Sequence, residues 1–161
     1  MAQYKEPPRV VFDCMIYLQA TANDKGVAGK SLDLLDSEAI TLFVSEQVLG
    51  EVRNVLSRPI VRAKNPRITD VSQNALLIRL ARKAVHIMNV PEEFKYERDP
   101  KDEKYINLAL VARAEYIVTS DRDLLDLMNE STATGKAFRF KYPFLKILSP
   151  PAFLQLFEKL N

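Results

Sequence analysis

The chain has no tryptophan, one cysteine and one histidine in 161 residues. A single cysteine, Cys14, rules out an internal disulfide and fits a reducing compartment. With His86 as the lone imidazole, no Cys/His cluster exists to hold zinc. No apolar run approaches the roughly 20 residues that a spanning helix needs. The opening MAQYKEPPRV lacks the apolar stretch of a signal peptide. A cytoplasmic protein with no membrane partner is therefore expected. Internal repeats and low-complexity tracts are absent too. So is a large excess of either charge: the net charge is +2, and any case for a nucleic-acid partner has to come from how the basic residues cluster. Hydrophobic residues at 47% and charged residues at 27% sit near globular averages. The length suits one domain over residues 1–161.

The most informative stretch is residues 99–125, DPKDEKYINLALVARAEYIVTSDRDLL. Asp99 before Pro100 puts an oxygen acceptor at an N-cap and a ring at the first helical position, which predicts a helix over residues 101–114. The run Tyr116, Ile117, Val118 is short, apolar and partly β-branched, and Thr119, Ser120, Asp121 and Arg122 stop it. It predicts a strand that ends in Asp121. Residues 9–12 form a similar run ending in Asp13. Between these strands the spacing predicts a helix over residues 14–22, a break at Gly26 and Gly29, and a second helical piece near residues 31–37. A strand at residues 41–44 follows, then a helix capped by Ser45 with Val48, Leu49, Val52, Val55 and Leu56 as its apolar stripe. Residues 57–70 read as a basic, irregular connector, residues 71–83 as a helix and residues 85–90 as a third strand. After Asp121 come a short helix over residues 124–128 and a polar loop over residues 129–136. The strict alternation Phe138, Arg139, Phe140, Lys141, Tyr142 predicts a half-exposed strand. A buried strand at residues 145–148 and a helix from Pro151 to Leu160 close the chain. Strands and helices that alternate in this way predict a parallel sheet covered on both faces.

In such a fold Asp13, Asp102 and Asp121 fall at the sheet edge where strands end and ligands bind. Glu51 sits on or beside an apolar stripe, where a carboxylate is costly without a metal or a basic partner. Each acid has a structural account of its own. Asp99 is an N-cap, Asp102 and Glu103 complement a helix dipole, and Asp121 caps the next helix with Asp123 in its first turn. Taken together the four acids need more, because their mutual repulsion calls for a cation. Oxygen-only ligation suits Mg²⁺ or Mn²⁺. An ion so held activates water and stabilises charge on a phosphate, which is the chemistry of nucleases. Cys14 reads as a small buried hydrophobe with no base beside it, and His86 as a core or edge residue. Arg58, Arg62 and Lys64 in the connector, like the segment 136–141, read either as a solvated surface or as candidate contacts to a phosphate backbone. Phe138, Phe140 and Tyr142 either stack bases or bury one strand face.

These residues resemble the PIN-domain family of metal-dependent ribonucleases, and in particular its VapC-like toxin branch. VVFDCMIYLQA resembles the opening strand with the first Asp, SEQVLGEVRNVLSRP the helix bearing the Glu, DPKDEKYINLAL the helix of the third acid, and YIVTSDRDLL the strand end of the fourth. The ending ILSPPAFLQLF is similar to that branch as well. The resemblance implies a three-layer α/β/α sandwich with a mainly parallel central sheet. It also implies a Mg²⁺ or Mn²⁺ cofactor, RNA as substrate, a cognate antitoxin and a homodimer. It places the catalytic and metal-binding acids on Asp13, Glu51, Asp102 and Asp121, with Asp123 as a fifth acid and Thr119 as a supporting hydroxyl. One position departs from the pattern: the family usually has Asn two residues after its first Asp, and here Met15 removes that orienting amide. Two readings follow. One is an endoribonuclease in which Asp13, Asp102 and Asp121 hold the metal and Glu51 helps or orients the water, leaving a 3′-hydroxyl and a 5′-phosphate. The other, motivated by Met15, is a non-catalytic RNA- or partner-binding module. A Mg²⁺-dependent phosphatase or phospho-receiver fits less well, since Asp13-Cys14-Met15 lacks the second Asp of such phosphatases.

Overall fold

Five short parallel strands form a sheet of order β3-β2-β1-β4-β5 in a computed structural model that describes residues 5–158. They are β1 (Arg9–Phe12), β2 (Thr41–Ser45), β3 (Val85–Ile87), β4 (Tyr116–Val118) and β5 (Lys146–Leu148). At the centre, Val11 pairs with Ile117 and Phe12 with Val118. Val10, Val11 and Phe12 are fully buried, as a central parallel strand with both faces covered requires. The chain builds outward from β1 to β2 and β3, then returns to the other side of β1 to lay down β4 and β5. That reversal leaves a crevice beyond the C-terminal ends of β1 and β4.

Nine α-helices are present among the described residues. The first five are α1 (Cys14–Ala22), α2 (Val27–Asp36), α3 (Glu46–Leu56), α4 (Pro59–Lys64) and α5 (Asp70–Lys83). The rest are α6 (Glu103–Ala112), α7 (Arg122–Leu125), α8 (Ala133–Lys141) and α9 (Pro150–Glu158). Helix α6 packs on β1, β2 and β4, and α1 packs on α2, α3 and α5. The sheet with its helices is the expected α/β/α arrangement. Several helices start within a few residues of a strand end, because a polar residue at or just past that end caps the helix. Asp13 accepts amides of α1, Ser45 accepts the Val48 amide of α3, and Asp121 accepts the Asp123 amide of α7.

Residues 138–142 form no strand. They belong to α8 and its cap, where Phe138 and Tyr142 share one buried face at i, i+4 spacing and both meet the Phe94 ring edge-on. Phe140 points away at 89% exposure. The loop before it ends at Thr132, whose hydroxyl accepts the Gly135 amide. Gly29 is no break: it lies inside α2, where a Cβ would come within 2.2 Å of the Asp24 carbonyl oxygen. The connector is partly regular, since Pro59 opens α4 at a position where a missing N–H costs nothing. The helix expected from residue 101 begins with a 3₁₀ turn, Pro100–Asp102, and ends at Arg113, which has a left-handed φ of 52°. Strand β3 ends at Ile87, three residues short of expectation. Leu160, the expected end of the last helix, lies outside the described residues.

Leu108, fully buried in α6, anchors that helix to the sheet. Leu108→Ala is expected to lower unfolding free energy by about 2–5 kcal/mol, read from urea midpoints. A loss below about 1 kcal/mol would mean that α6 does not carry the packing described.

Candidate metal centre

Asp13 joins the two central strands. Its Oδ1 accepts the amides of Met15 (2.9 Å) and Ile16 (3.3 Å), and its Oδ2 accepts the Thr119 hydroxyl from the end of β4. Thr119 Oγ1 in turn accepts the Asp121 amide at 2.9 Å. One hydroxyl thus links the ends of β1 and β4. Burial pushes the Asp13 carboxyl up to about 6; its hydrogen bonds from Thr119, Ile16 and Met15 pull against this, and the nearby charge of Asp121 adds to it.

Asp99 caps the 3₁₀ turn by accepting the Lys101 amide at 3.2 Å. At the end of that turn Asp102 is only 7% exposed, and its Oδ2 has no hydrogen-bond partner. Carboxylate oxygens of Asp99, Asp102, Asp121 and Asp123 lie within 4.8 Å of one another. Burial drives the Asp102 carboxyl well above the ordinary range, and the charges of Asp121, Asp99 and Asp13 drive it further. Among the described residues, the only basic group paired with these four is Arg98, whose Nε lies 2.6 Å from Asp123. A buried oxygen without a partner, set among three more carboxylates, fits a hard divalent cation: the donors are all oxygen and their charge needs an opposite charge.

Glu51 lines the same cleft, which encloses about 650 Å³, but its surroundings differ. Lys104 Nζ lies 2.5 Å from Oε2, the Tyr105 hydroxyl donates to Oε2 at 3.0 Å, and the Cys14 thiol donates to Oε1 at 3.3 Å. The Tyr105 hydroxyl also accepts the Cys14 amide at 3.1 Å. Burial raises the Glu51 carboxyl, yet the Lys104, Cys14 and Tyr105 contacts outweigh it and hold it below its ordinary value. Glu51 and Asp13 therefore stand outside the four-acid cluster, each with its own partners, while Asp99 stands inside it.

The family profile described as PIN domain matches residues 9–123. The chain belongs to the PIN-domain family. It is also similar to the uncharacterized protein MJ1680 of Methanocaldococcus jannaschii, at 32% identity over 152 residues, which covers 94% of this chain and 92% of that protein. PIN domains are generally metal-dependent nucleases, and the acidic cluster accords with that.

Around the acids of this PIN domain, Arg58 lines the cleft, together with Lys101 and Lys104. Arg62 is committed to the fold: it donates to the Leu56 carbonyl, Asp70 and Gln73. Lys64, at the end of α4, does not line the cleft. Met15 does, at 41% exposure, and its backbone amide still donates to Asp13 whatever its side chain. Sequence reasoning missed Lys104 and Tyr105, although both stand in the first turn of α6 beside Asp102; nothing in their spacing pointed to α3. It also missed the carboxylate beside Cys14. Burial pushes that thiol up to about 12, so Cys14 acts as a donor rather than a nucleophile. His86 lies on the edge strand β3, with Nε2 3.2 Å from the Leu80 carbonyl oxygen.

Asp13 and Asp102 both bind a proton more tightly when folded than when unfolded. Their contribution to stability is thus complete below the ordinary value of 3.8 and is lost as pH rises through about 6 for Asp13 and higher for Asp102. Metal-free protein is expected to melt at progressively lower temperature from about pH 5 to about pH 8. Asp102→Asn should flatten that slope and raise the pH 8 midpoint by roughly 2–4 °C per kcal/mol of repulsion removed. A wild-type midpoint that is level or rises across this range contradicts the electrostatics described.

Proposed function

We propose that this PIN domain, acting as one domain over its length, is a Mg²⁺- or Mn²⁺-dependent endoribonuclease and the toxin of a toxin–antitoxin pair. The observation that carries the reading is the buried, unpartnered Oδ2 of Asp102 within a four-carboxylate cluster at the switch point of the sheet. Asp102 and Asp121 would hold the ion, with Asp99 and Asp123 in the same cluster and Asp13 on the wall of the same cleft. When bound, such an ion activates water and offsets charge on a phosphate.

The chain's own groups have separable tasks. Thr119 fixes Asp13 and the Asp121 backbone together, so the ends of β1 and β4 hold one geometry. Glu51, kept ionised by Lys104, accepts a hydrogen bond from the attacking water and orients it. Arg58 and Lys101 on the cleft wall offer positive charge to the phosphodiester, so that RNA can approach an acidic floor. Hydrolysis leaves a 3′-hydroxyl and a 5′-phosphate. The toxin assignment, the antitoxin that would cover the cleft and the homodimer rest on the likeness of the ILSPPAFLQLF ending and the acid motifs to the VapC-like branch.

Cleavage of a mixed single-stranded and structured RNA pool is expected with Mg²⁺ or Mn²⁺ and not with EDTA. Asp102→Asn should reduce the rate about a thousandfold or more, and cleavage retained in that variant rejects the assignment. A second reading is favoured by Met15, whose side chain lines the cleft where the family usually has an amide. If Met15 limits the site, Met15→Asn should raise cleavage about tenfold or more. RNA binding without cleavage in either protein, under any divalent ion, would establish the non-catalytic module.

A further inference from the structure

Beside the acidic cleft, at the same edge of the sheet, lies a second groove of about 570 Å³. Leu18 lines both spaces. Helix α4 borders both as well, with Val61 on the acidic side and its C-cap Asn65 in the second groove. Ser120, in the second groove, directly precedes Asp121. The two spaces are therefore adjacent, and a chain lying across the acids would run into the second groove.

Their chemistry is opposite. The acidic cleft is lined by five carboxylates and three cationic side chains. Among the described residues, no charged side chain lines the second groove. It offers the amides of Gln19, Asn23 and Asn65 and the hydroxyls of Ser120 and Ser149, set among apolar walls that include Leu18 and Leu125. It holds no Lys or Arg among its lining residues to pair with a phosphate. A nucleobase fits, because it has apolar faces and an uncharged edge of donors and acceptors, and amides match such an edge with both kinds of group. Two of these amides are half committed. Asn65 Nδ2 donates to the Val61 carbonyl at 2.8 Å, which leaves its oxygen as an acceptor; Asn23 Oδ1 accepts the Lys25 amide at 3.2 Å, which leaves its nitrogen as a donor. The groove is also within the roughly 300–1,000 Å³ range of small-molecule sites, enough for a nucleoside.

We infer that this groove is a base-recognition subsite, holding one nucleobase of single-stranded RNA beside the phosphodiester that lies over the acids. Only its position next to the cut rests on the ribonuclease reading. The base it accepts sets the residue that flanks the cleaved bond.

Neutral probes separate the groove from the metal centre. Adenosine, guanosine, cytidine and uridine are added singly to the full chain while the side-chain amide NMR signals of Gln19, Asn23 and Asn65 are followed. At least one nucleoside is expected to move all three, and the double variant Gln19→Ala/Asn23→Ala should weaken that binding about tenfold, the scale of a lost hydrogen bond. In parallel, the ends cut from a mixed single-stranded RNA pool are sequenced. Wild type should favour one base at a position flanking the cut, and the double variant should cleave with that preference flattened. Gly26→Ala provides a variant with milder disturbance, since its methyl would meet the Asn23 amide nitrogen at 3.1 Å. Amide signals that no nucleoside moves, or an end preference that survives these variants, overturn the subsite. Nucleoside binding without any cleavage would keep the groove and reject the ribonuclease; cleavage with neither binding nor preference would do the reverse.

Discussion

The carboxylates of Asp99, Asp102, Asp121 and Asp123, held within 4.8 Å of one another, repel in a setting where Asp102 is too buried for water to screen it well. The fold nevertheless keeps them together, in part because two of them bond the backbone locally. Asp99 caps a turn and Asp121 caps α7. Those bonds, small individually, fix the backbone at the crevice between β1 and β4. The repulsion then remains as an unmet demand for positive charge, which a hard cation meets and a proton meets in part.

Glu51 shows the same demand met from within. Its carboxylate lies beside the cluster, but Lys104, Tyr105 and Cys14 supply a cation and two donors. Tyr105 extends that arrangement to the first turn of α1 by accepting the Cys14 amide, so α1, α3 and α6 are tied at one point. Glu51 thus has a cation supplied by the chain, whereas among the described residues no basic side chain is paired with Asp99, Asp102 or Asp121 in the same cleft. The uncharged groove across Leu18 extends this division from electrostatics to shape and hydrogen bonding.

Much of this was legible in the residues. Runs such as Val10 to Phe12 and Tyr116 to Val118, each followed by a polar stop, marked the two central strands, and their acids marked the edge. Ser45 declared its helix, since a hydroxyl ahead of an apolar stripe has a single local use there. The segment 138–142 misled because five residues of alternation are also compatible with an i, i+4 aromatic pair; packing against Phe94, far away in sequence, decided between them. Asp99 was read only as a cap, and it is a cap, but local spacing could not show that its carboxylate also meets Asp121 and Asp123. The bond from Lys104 to Glu51 joins helices more than 50 residues apart, and no local pattern encodes such a distance. Arg62 read as a candidate phosphate contact or a solvated surface residue, and its bonds to Asp70 and Gln73 are partners that local spacing did not show.

The most direct test of the account is a calorimetric titration of Mn²⁺ into metal-free protein near neutral pH, alongside Asp102→Asn. Saturable binding in the wild type, lost in the variant and accompanied by proton release, is the predicted result, because carboxyls with raised affinity for protons must give them up to the ion. No saturable binding, or binding of equal strength in Asp102→Asn, would contradict the claim that the crowded carboxylates exist to hold a cation.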